Sequence, residues 1–141
     1  MTREEARRRF ADARVASLST ANVDARPHVV PIVFAVAGDT VYSAVDHKPK
    51  RTTSLRRLAH LKANPRAALL VHHYDDEDWT RLWWVRADGD GRVLEPEEAE
   101  ARSAVDRLVE RYAQYRDARP SGPVIAIDVF RWSGWAFSDA G

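Results

Sequence analysis

Alternating apolar and polar positions along much of the chain predict short β-strands. Three such segments lie in the first third: "RVASLST" at 14–20, "HVVPIVFAV" at 28–36 and "TVYSAV" at 40–45. The "AGD" between the last two is typical of a tight hairpin turn. Pro31 lies inside the second segment and cannot donate a hydrogen bond to a sheet. We therefore expect an edge strand, a bulge or contact with a ligand there.

Further strand-like segments follow in the second half of the chain. "RAALLVHHY" at 66–74 predicts one strand. "RLWWVRADGDGRVLE" at 81–95 predicts one long strand or two strands broken at "DGDG". "VIAIDVFRWSGWAF" at 124–137 predicts a final strand or strand pair.

Two helices are predicted before residue 66. The first begins at a T-x-x-E capping box formed by Thr2 and Glu5 and ends near Ala13. The second begins after a cap at Thr52 or Thr53, because threonine side chains cap helix starts. It ends at "NP", residues 64–65.

A third, amphipathic helix is predicted to begin at Pro96, since proline suits the first position of a helix. Its apolar positions fall on one stripe: Ala101, Ala104, Val105, Leu108, Val109, Tyr112 and Tyr115.

The order of these elements predicts a mainly β fold. Consecutive strands joined by short turns favour antiparallel hairpins over parallel β-α-β units. Six to seven antiparallel strands with three peripheral helices indicate a small β-barrel with the helices packed outside it. A chain of 141 residues fits a single domain, so we assign residues 1–141 to one unit.

Composition excludes several classes of function. The chain has no cysteine, which rules out disulfides and thiolate chemistry. Its formal net charge of +1 argues against a dedicated nucleic-acid binder. No apolar run is long enough to span a membrane, and the N-terminal "MTREEARRRF" has no apolar core of a secretory signal. We therefore expect a cytoplasmic protein with no nucleic-acid or membrane partner.

Positive charge gathers in the stretch 48–57, which holds five basic residues and no acidic one: Lys48, Lys50, Arg51, Arg56 and Arg57. The stretch leads into the second helix, and the start of a helix exposes unpaired N–H groups and partial positive charge. Lys, Arg and Thr beside such groups suit a phosphate. The alternative is a solvated helix face, since most charge runs lie on the surface.

A helical projection of the second helix places Leu55, Leu58, Ala59 and Leu61 on the side expected to pack on the barrel. Arg56, Arg57 and His60 fall on the side expected to stay free. No Gly-rich nucleotide-binding pattern occurs, so Rossmann or Walker binding is not expected.

Other candidate sites are weak. His72 and His73 are adjacent on a strand and point to opposite faces, so they cannot share a metal ion, and we expect no metal site. No hydrolase or metalloprotease motif occurs, and no catalytic residue stands out. His28 and Tyr42 could donate a proton, although ordinary strand roles are the simpler interpretation.

Five tryptophans in 141 residues are many. Core or interface packing is their simpler role, and a wall for a flat ring is the functional alternative. Trp83 and Trp84 face opposite ways, so at most one lines a pocket, and we take Trp84 as the candidate.

Four motifs carry a family resemblance: "ARVASLSTANVDARPHVVPIVFAV", "DHKPKRTTSLRRLAHLKANPRAALLVHHY", "LWWVRADGDGRVL" and "RWSGWAF". In order and spacing they cover about Val15 to Phe137. They resemble the flavin-reductase-type split β-barrels related to pyridoxamine 5'-phosphate oxidase. More narrowly, the chain is similar to the actinobacterial branch of coenzyme F420 (deazaflavin)-dependent enzymes.

The resemblance implies an FMN-binding-type split β-barrel that forms a homodimer, with two cofactor sites at the subunit interface. It implies contacts to the cofactor phosphate from Lys48, Lys50, Arg51, Thr52 and Thr53. It places Arg56 and Arg57 beside the phosphate or along the cofactor tail. It also implies that the ring lies against the strand at His28, Val29, Val30 and Pro31. The family's Lys and Asn are replaced here by Arg57 and His60.

The resemblance therefore predicts an oxidoreductase that transfers a hydride between reduced coenzyme F420 and a small organic substrate. The anionic tail of this cofactor suits the surplus of basic residues. The alternatives are an FMN-dependent oxidase or reductase on the same fold, and a split barrel that holds a cofactor or haem without turnover.

Overall fold

The computed structural model describes residues 1–45 and 52–139. Its strands are β1 (Ala16–Ala21), β2 (Pro27–Ile32), β3 (Ala35–Ala37), β4 (Thr40–Ala44), β5 (Arg66–His73), β6 (Trp83–Leu94) and β7 (Val124–Ala136). Its helices are α1 (Arg3–Asp12), α2 (Thr52–Ala63), α3 (Ala99–Arg111) and α4 (Ala113–Asp117), with 3-10 turns at Trp79–Arg81 and Phe137–Asp139.

The seven strands form one antiparallel sheet in the order β2-β1-β5-β6-β7-β4-β3. Side chains from six of the strands meet in a single apolar cluster, so the sheet curls around it. Among the described residues β2 and β3 are the two edge strands, and no ladder joins them. This is the predicted mainly β architecture, a split β-barrel with peripheral helices, and it carries four helices where three were predicted.

The first helix starts where the capping pattern predicts. The Thr2 hydroxyl accepts a hydrogen bond from the Glu5 N–H at 3.1 Å, while the Glu5 carboxylate pairs with Arg9. Phe10 is fully buried on the inner face of this helix. Its ring centroid lies 4.8 Å from that of Phe34 and 5.3 Å from that of Trp132, which docks α1 against the core.

Three predicted boundaries are wrong. The segment 28–36 is not one strand, because β2 ends at Ile32 and the backbone N–H and C=O of Phe34 bond to the Tyr112 hydroxyl. The third helix does not start at Pro96, because the Glu98 N–H donates to the Glu95 carbonyl and forms a turn before α3. Nor does that helix run to residue 115, because Tyr112 is extended and separates α3 from α4.

The long segments 81–95 and 124–137 each form one strand, β6 and β7, paired almost throughout. The "DGDG" sequence does not break β6. It holds a register shift at Asp88 and Gly89, where Phe130 is left as an extra residue in β7. No helix in the described residues is long and apolar enough to cross a membrane.

Candidate functional site

A cavity of about 360 Å³ opens between the ends of β2 and β4 and the helices α2 and α4. We call it the cleft. Its lining residues are Pro31, Ile32, Val33, Ser43, Ala44, Val45, Arg57, Gln114, Tyr115, Ala118 and Pro120.

The cleft forms where β2 ends at an edge of the sheet. Pro31 belongs to β2, which pairs only with β1 in the described chain, so the predicted edge position is confirmed. The buried Ser43 hydroxyl donates to the Val33 carbonyl at 2.9 Å and fixes the end of β2 to β4. The last β4-side residue of the cleft is Val45, after which the chain enters the basic stretch.

Among the described residues that line the cleft, Arg57 is the cationic one. Its side chain is half-buried on α2. Burial lowers the pKa of the guanidinium below its usual value, and the neighbouring Tyr115 acts in the opposite direction. Because removing a cation from water is costly, a guanidinium in this position favours an anionic ligand.

A second, apolar depression of about 610 Å³ lies on the outer face of the sheet. We call it the outer-face groove. It is lined by Ser17, Ser19, Val29, Ala68, Leu69, Leu70, His72, Trp84 and Arg86. Val29 and Pro31 are both exposed and two residues apart on β2, so they lie on the same face of the sheet. The groove and the cleft are therefore adjacent along β2.

His28 points away from this face and lies between the sheet and α2. Its ring centroid is 5.3 Å from that of His60, in an edge-to-face arrangement. The His60 Nδ1 lies 3.3 Å from the buried Thr20 hydroxyl. The predicted free side of α2 is therefore wrong for His60 and Arg57, which are half-buried, whereas Ala59 is exposed.

The residues predicted to contact a cofactor do not all lie in one place in the structure. Pro31 and Arg57 line the cleft, and Val29 and Trp84 line the outer-face groove. Val30 packs against the main core, His28 lies against His60, and Arg56 is exposed on α2. The predictions for Lys48, Lys50 and Arg51, and those for the side chains of Thr52 and Thr53, lie outside the described part of the chain.

The structure also shows on which face of the sheet the candidate tryptophans and histidines lie. Trp83 and Trp84 face opposite sides of β6, as predicted: Trp83 stacks on His73 and lies under Arg9, and Trp84 is on the outer face. His72 and His73 likewise lie on opposite faces. No group of three or more His, Asp or Glu side chains is placed to hold a metal among the described residues.

Tyr42, considered as a proton donor, does not line the cleft. Its hydroxyl donates to the Glu100 carboxylate at 2.7 Å. Burial and this carboxylate raise the pKa of Tyr42 to about 12. Its phenol is therefore engaged in a structural contact on the α3 side of the sheet.

The wall formed by α4 was missed by sequence reasoning. Gln114 and Tyr115 face the cleft because the chain turns at Tyr112, whereas the predicted continuous helix placed Tyr115 on a packing stripe. Ser43 was also missed, since one serine in an apolar strand carries no distinguishing signal.

Comparison with known proteins identifies relatives of this chain. A family model described as Pyridoxamine 5'-phosphate oxidase matches residues 2–136. No curated protein matches significantly.

Solved structures share the fold at low sequence identity. The conserved hypothetical protein Rv2991 from Mycobacterium tuberculosis is 21% identical, with a TM-score of 0.73 over 100% of this chain and 88% of that one. An FAD-binding protein from Mesorhizobium loti is 19% identical, with a TM-score of 0.73 over 95% of this chain and 94% of that one. The haem storage protein HutZ from Vibrio cholerae is 14% identical, with a TM-score of 0.72 over 96% and 95% of the two chains.

Proposed function

The chain belongs to the pyridoxamine 5'-phosphate oxidase family, and we propose that it is a coenzyme F420-dependent oxidoreductase. It would transfer a hydride between the reduced cofactor and a small organic substrate. The observation that carries the proposal is that Arg57, the last residue of the basic stretch, is half-buried in the cleft. Such a site matches an anionic cofactor with a flat ring.

The cleft fits the parts of this cofactor. The backbone at Pro31–Val33 and the apolar side chains of Ile32 and Val45 offer a surface for a ring. Arg57 supplies positive charge next to it. The stretch 48–57 and Lys62 supply further charge along the chain, more than one phosphate needs, which supports a cofactor with an anionic tail.

The bound deazaflavin would supply the hydride chemistry, while the protein binds, orients and shields it. This role of the protein is consistent with the polar residues of the cleft, which are Ser43, Arg57, Gln114 and Tyr115. No carboxylate or imidazole lines the cleft among the described residues. The substrate class we propose is a small conjugated or electron-poor molecule that stacks next to the ring.

We also propose that the protein is a homodimer that uses the outer-face groove. The groove is apolar and adjoins the cleft along β2, through Val29 and Pro31. A second copy seated there would bring its own residues, Trp84 among them, towards the open side of the cleft.

Two alternatives on the same fold have their own support. A flavin cofactor is favoured by the FAD-binding relative from Mesorhizobium loti. Haem binding without turnover is favoured by the haem storage relative and by His72, an imidazole in a groove with mostly apolar lining.

The test is isothermal titration calorimetry of the wild-type protein with oxidised and reduced coenzyme F420, FMN and haem. We expect coenzyme F420 to bind more tightly than FMN. Arg57→Ala and Lys50→Ala should each weaken binding by roughly tenfold, since each removes a charge-assisted contact.

Arg107→Ala is the matched control, because it removes the same charge from an exposed position on α3, outside the basic stretch. Its effect should be clearly smaller than that of Arg57→Ala. Equal effects would mean that overall charge matters and that the cleft does not hold the cofactor. Preference for FMN or haem would favour the corresponding alternative, and binding of none would reject a cofactor role.

A further inference from the structure

The wall that α4 contributes to the cleft has a second cavity on its other side. Val33, Gln114 and Tyr115 line the cleft on one side and a second cavity of about 420 Å³ on the other. Arg14, Tyr112 and Ala113 also line the second cavity, which opens to solvent. Because there is empty space behind this wall, core packing alone does not set its position.

The Tyr112 hydroxyl connects the two sides of the wall. It accepts a hydrogen bond from the Phe34 N–H at 3.2 Å, and it lies 2.9 Å from the Phe34 carbonyl oxygen and 3.0 Å from that of Arg14. One hydroxyl thus contacts the backbone directly after Val33, which belongs to the wall. Seventy-eight residues separate Tyr112 from Phe34, so this contact is long-range.

Tyr112 also determines where α4 lies. Its extended backbone ends α3, and its carbonyl accepts from the Tyr115 N–H at 3.0 Å to start α4. The guanidinium groups of Arg14 and Arg111 lie 4.7 Å and 5.5 Å from the centre of its ring. Arg111 in turn donates to the carbonyls of Ala11 and Ala13. The ring is therefore clamped, and α4 starts from a fixed point.

We infer that Tyr112 is a positioning residue for the ring-binding part of the cleft. By holding Phe34 and the start of α4 together, it sets the spacing between the Pro31–Val33 backbone and the side chains of Gln114 and Tyr115. The role in ligand binding rests on the proposed function, whereas the role in fixing the two walls does not.

The test uses Tyr112→Phe, which keeps the ring and removes the hydroxyl. In the ligand-free protein, hydrogen exchange should accelerate at residues 33–34 and 113–118 and little elsewhere, by at least roughly five- to tenfold, because the variant loses more than one hydrogen bond at the Tyr112 hydroxyl. FMN binding should weaken several-fold, while binding of inorganic phosphate, which has no ring, should be unchanged. Tyr74→Phe is the control, since it removes an exposed hydroxyl that bonds to Asp76 at 2.8 Å.

Each outcome decides one claim. Unchanged exchange at both segments, or acceleration spread evenly over the barrel, overturns the positioning role. Local acceleration with equal loss of FMN and phosphate binding, or with no loss of FMN binding, overturns the ring-specific role. If wild-type protein binds neither FMN nor coenzyme F420, the proposed function fails, and the exchange data alone decide whether Tyr112 fixes the walls.

Discussion

Arg92 is the centre of a polar network that joins β4, β6, β7 and α3. Its guanidinium donates to both oxygens of Glu100 at 3.0 and 2.8 Å and to Asp128 at 2.6 and 3.0 Å. Tyr42 donates to the same Glu100 carboxylate. The hydrogen bonds from Arg92 and Tyr42 lower the pKa of Glu100 to about 2. The network joins α3 to the sheet and therefore serves the docking of α3.

Because folding lowers the pKa of Glu100, the free energy of unfolding depends on pH in the acidic range. In the unfolded chain this carboxyl takes up a proton near its usual pKa of 4.5, and in the folded chain only near 2. Because the unfolded state binds the proton first, the free energy of unfolding must fall as pH drops from about 4.5 towards 2. Glu100→Gln should lower it by about 1 kcal/mol at neutral pH, a modest cost since the pair is partly exposed to solvent.

Urea unfolding of wild type and Glu100→Gln at about pH 7 and about pH 3 measures this effect. We expect the stability difference between the two proteins to shrink at the acidic pH. Glu97→Gln, an exposed glutamate close by, should behave as wild type at both. An equal difference between wild type and Glu100→Gln at both pH values would contradict the assignment.

Strand pairing depends at one point on the absence of a side chain. At the register shift between β6 and β7, a Cβ added to Gly89 would lie 2.4 Å from the Asp128 carbonyl oxygen and 2.9 Å from its carbon. These are backbone atoms of a paired central strand and cannot move aside cheaply. Glycine is therefore required where the strands approach each other closely.

Gly89→Ala should lower the free energy of unfolding by about 3 kcal/mol, because the clash distorts the longest ladder of the sheet. Gly38→Ala is the matched control: its added Cβ meets nothing within 4 Å, and only its φ of 60° opposes alanine, at a cost of about 1 kcal/mol. Chemical denaturation of both variants checks the prediction. Equal losses would show that the close approach at Gly89 is relieved without cost.

The elements that follow from local pattern could be predicted, and two of the three wrong boundaries share one cause. The alternation over β1 and the Thr2 cap of α1 are local, and the structure keeps both. The break after Ile32 and the end of α3 both depend on Tyr112, whose contact with Phe34 spans 78 residues. A pattern read over a short window cannot contain such a contact.

Part of the candidate site could also be predicted from the sequence. Charge before α2 and the proline in β2 pointed to Arg57 and Pro31, and both line the cleft. The α4 wall depends on the Tyr112 contact and could not be predicted. The inward position of His60 could not be predicted either, because the side of α2 that packs is set by Thr20 and His28 on other elements.

On the scale of the whole molecule, the outer face of the sheet exposes several large apolar side chains that lie close together. The exposed fractions are 62% for Val29, 39% for Leu70, 36% for Trp84 and 37% for Trp135. Trp84 and Trp135 are paired neighbours on β6 and β7, and Leu70 lies on β5, the strand next to β6. Contiguous apolar patches of this kind mark surfaces that are covered in the functional protein.

A homodimer would cover this face, and its stability should depend on the centre of the groove. Sedimentation equilibrium of wild type should give twice the 16.0 kDa chain mass. Leu70→Glu replaces an apolar side chain in the middle of this face with a charge opposite Arg86. Taking that ion pair out of water under a second copy costs more than burying leucine, which favours the monomer. Val23→Glu, at an exposed turn outside the groove, should leave the mass unchanged. A monomeric wild type would place the cleft on a single chain, whereas a dimeric Leu70→Glu variant would show that the dimer interface lies away from the groove. Loss of coenzyme F420 binding together with the dimer would instead show that the second copy completes the cleft.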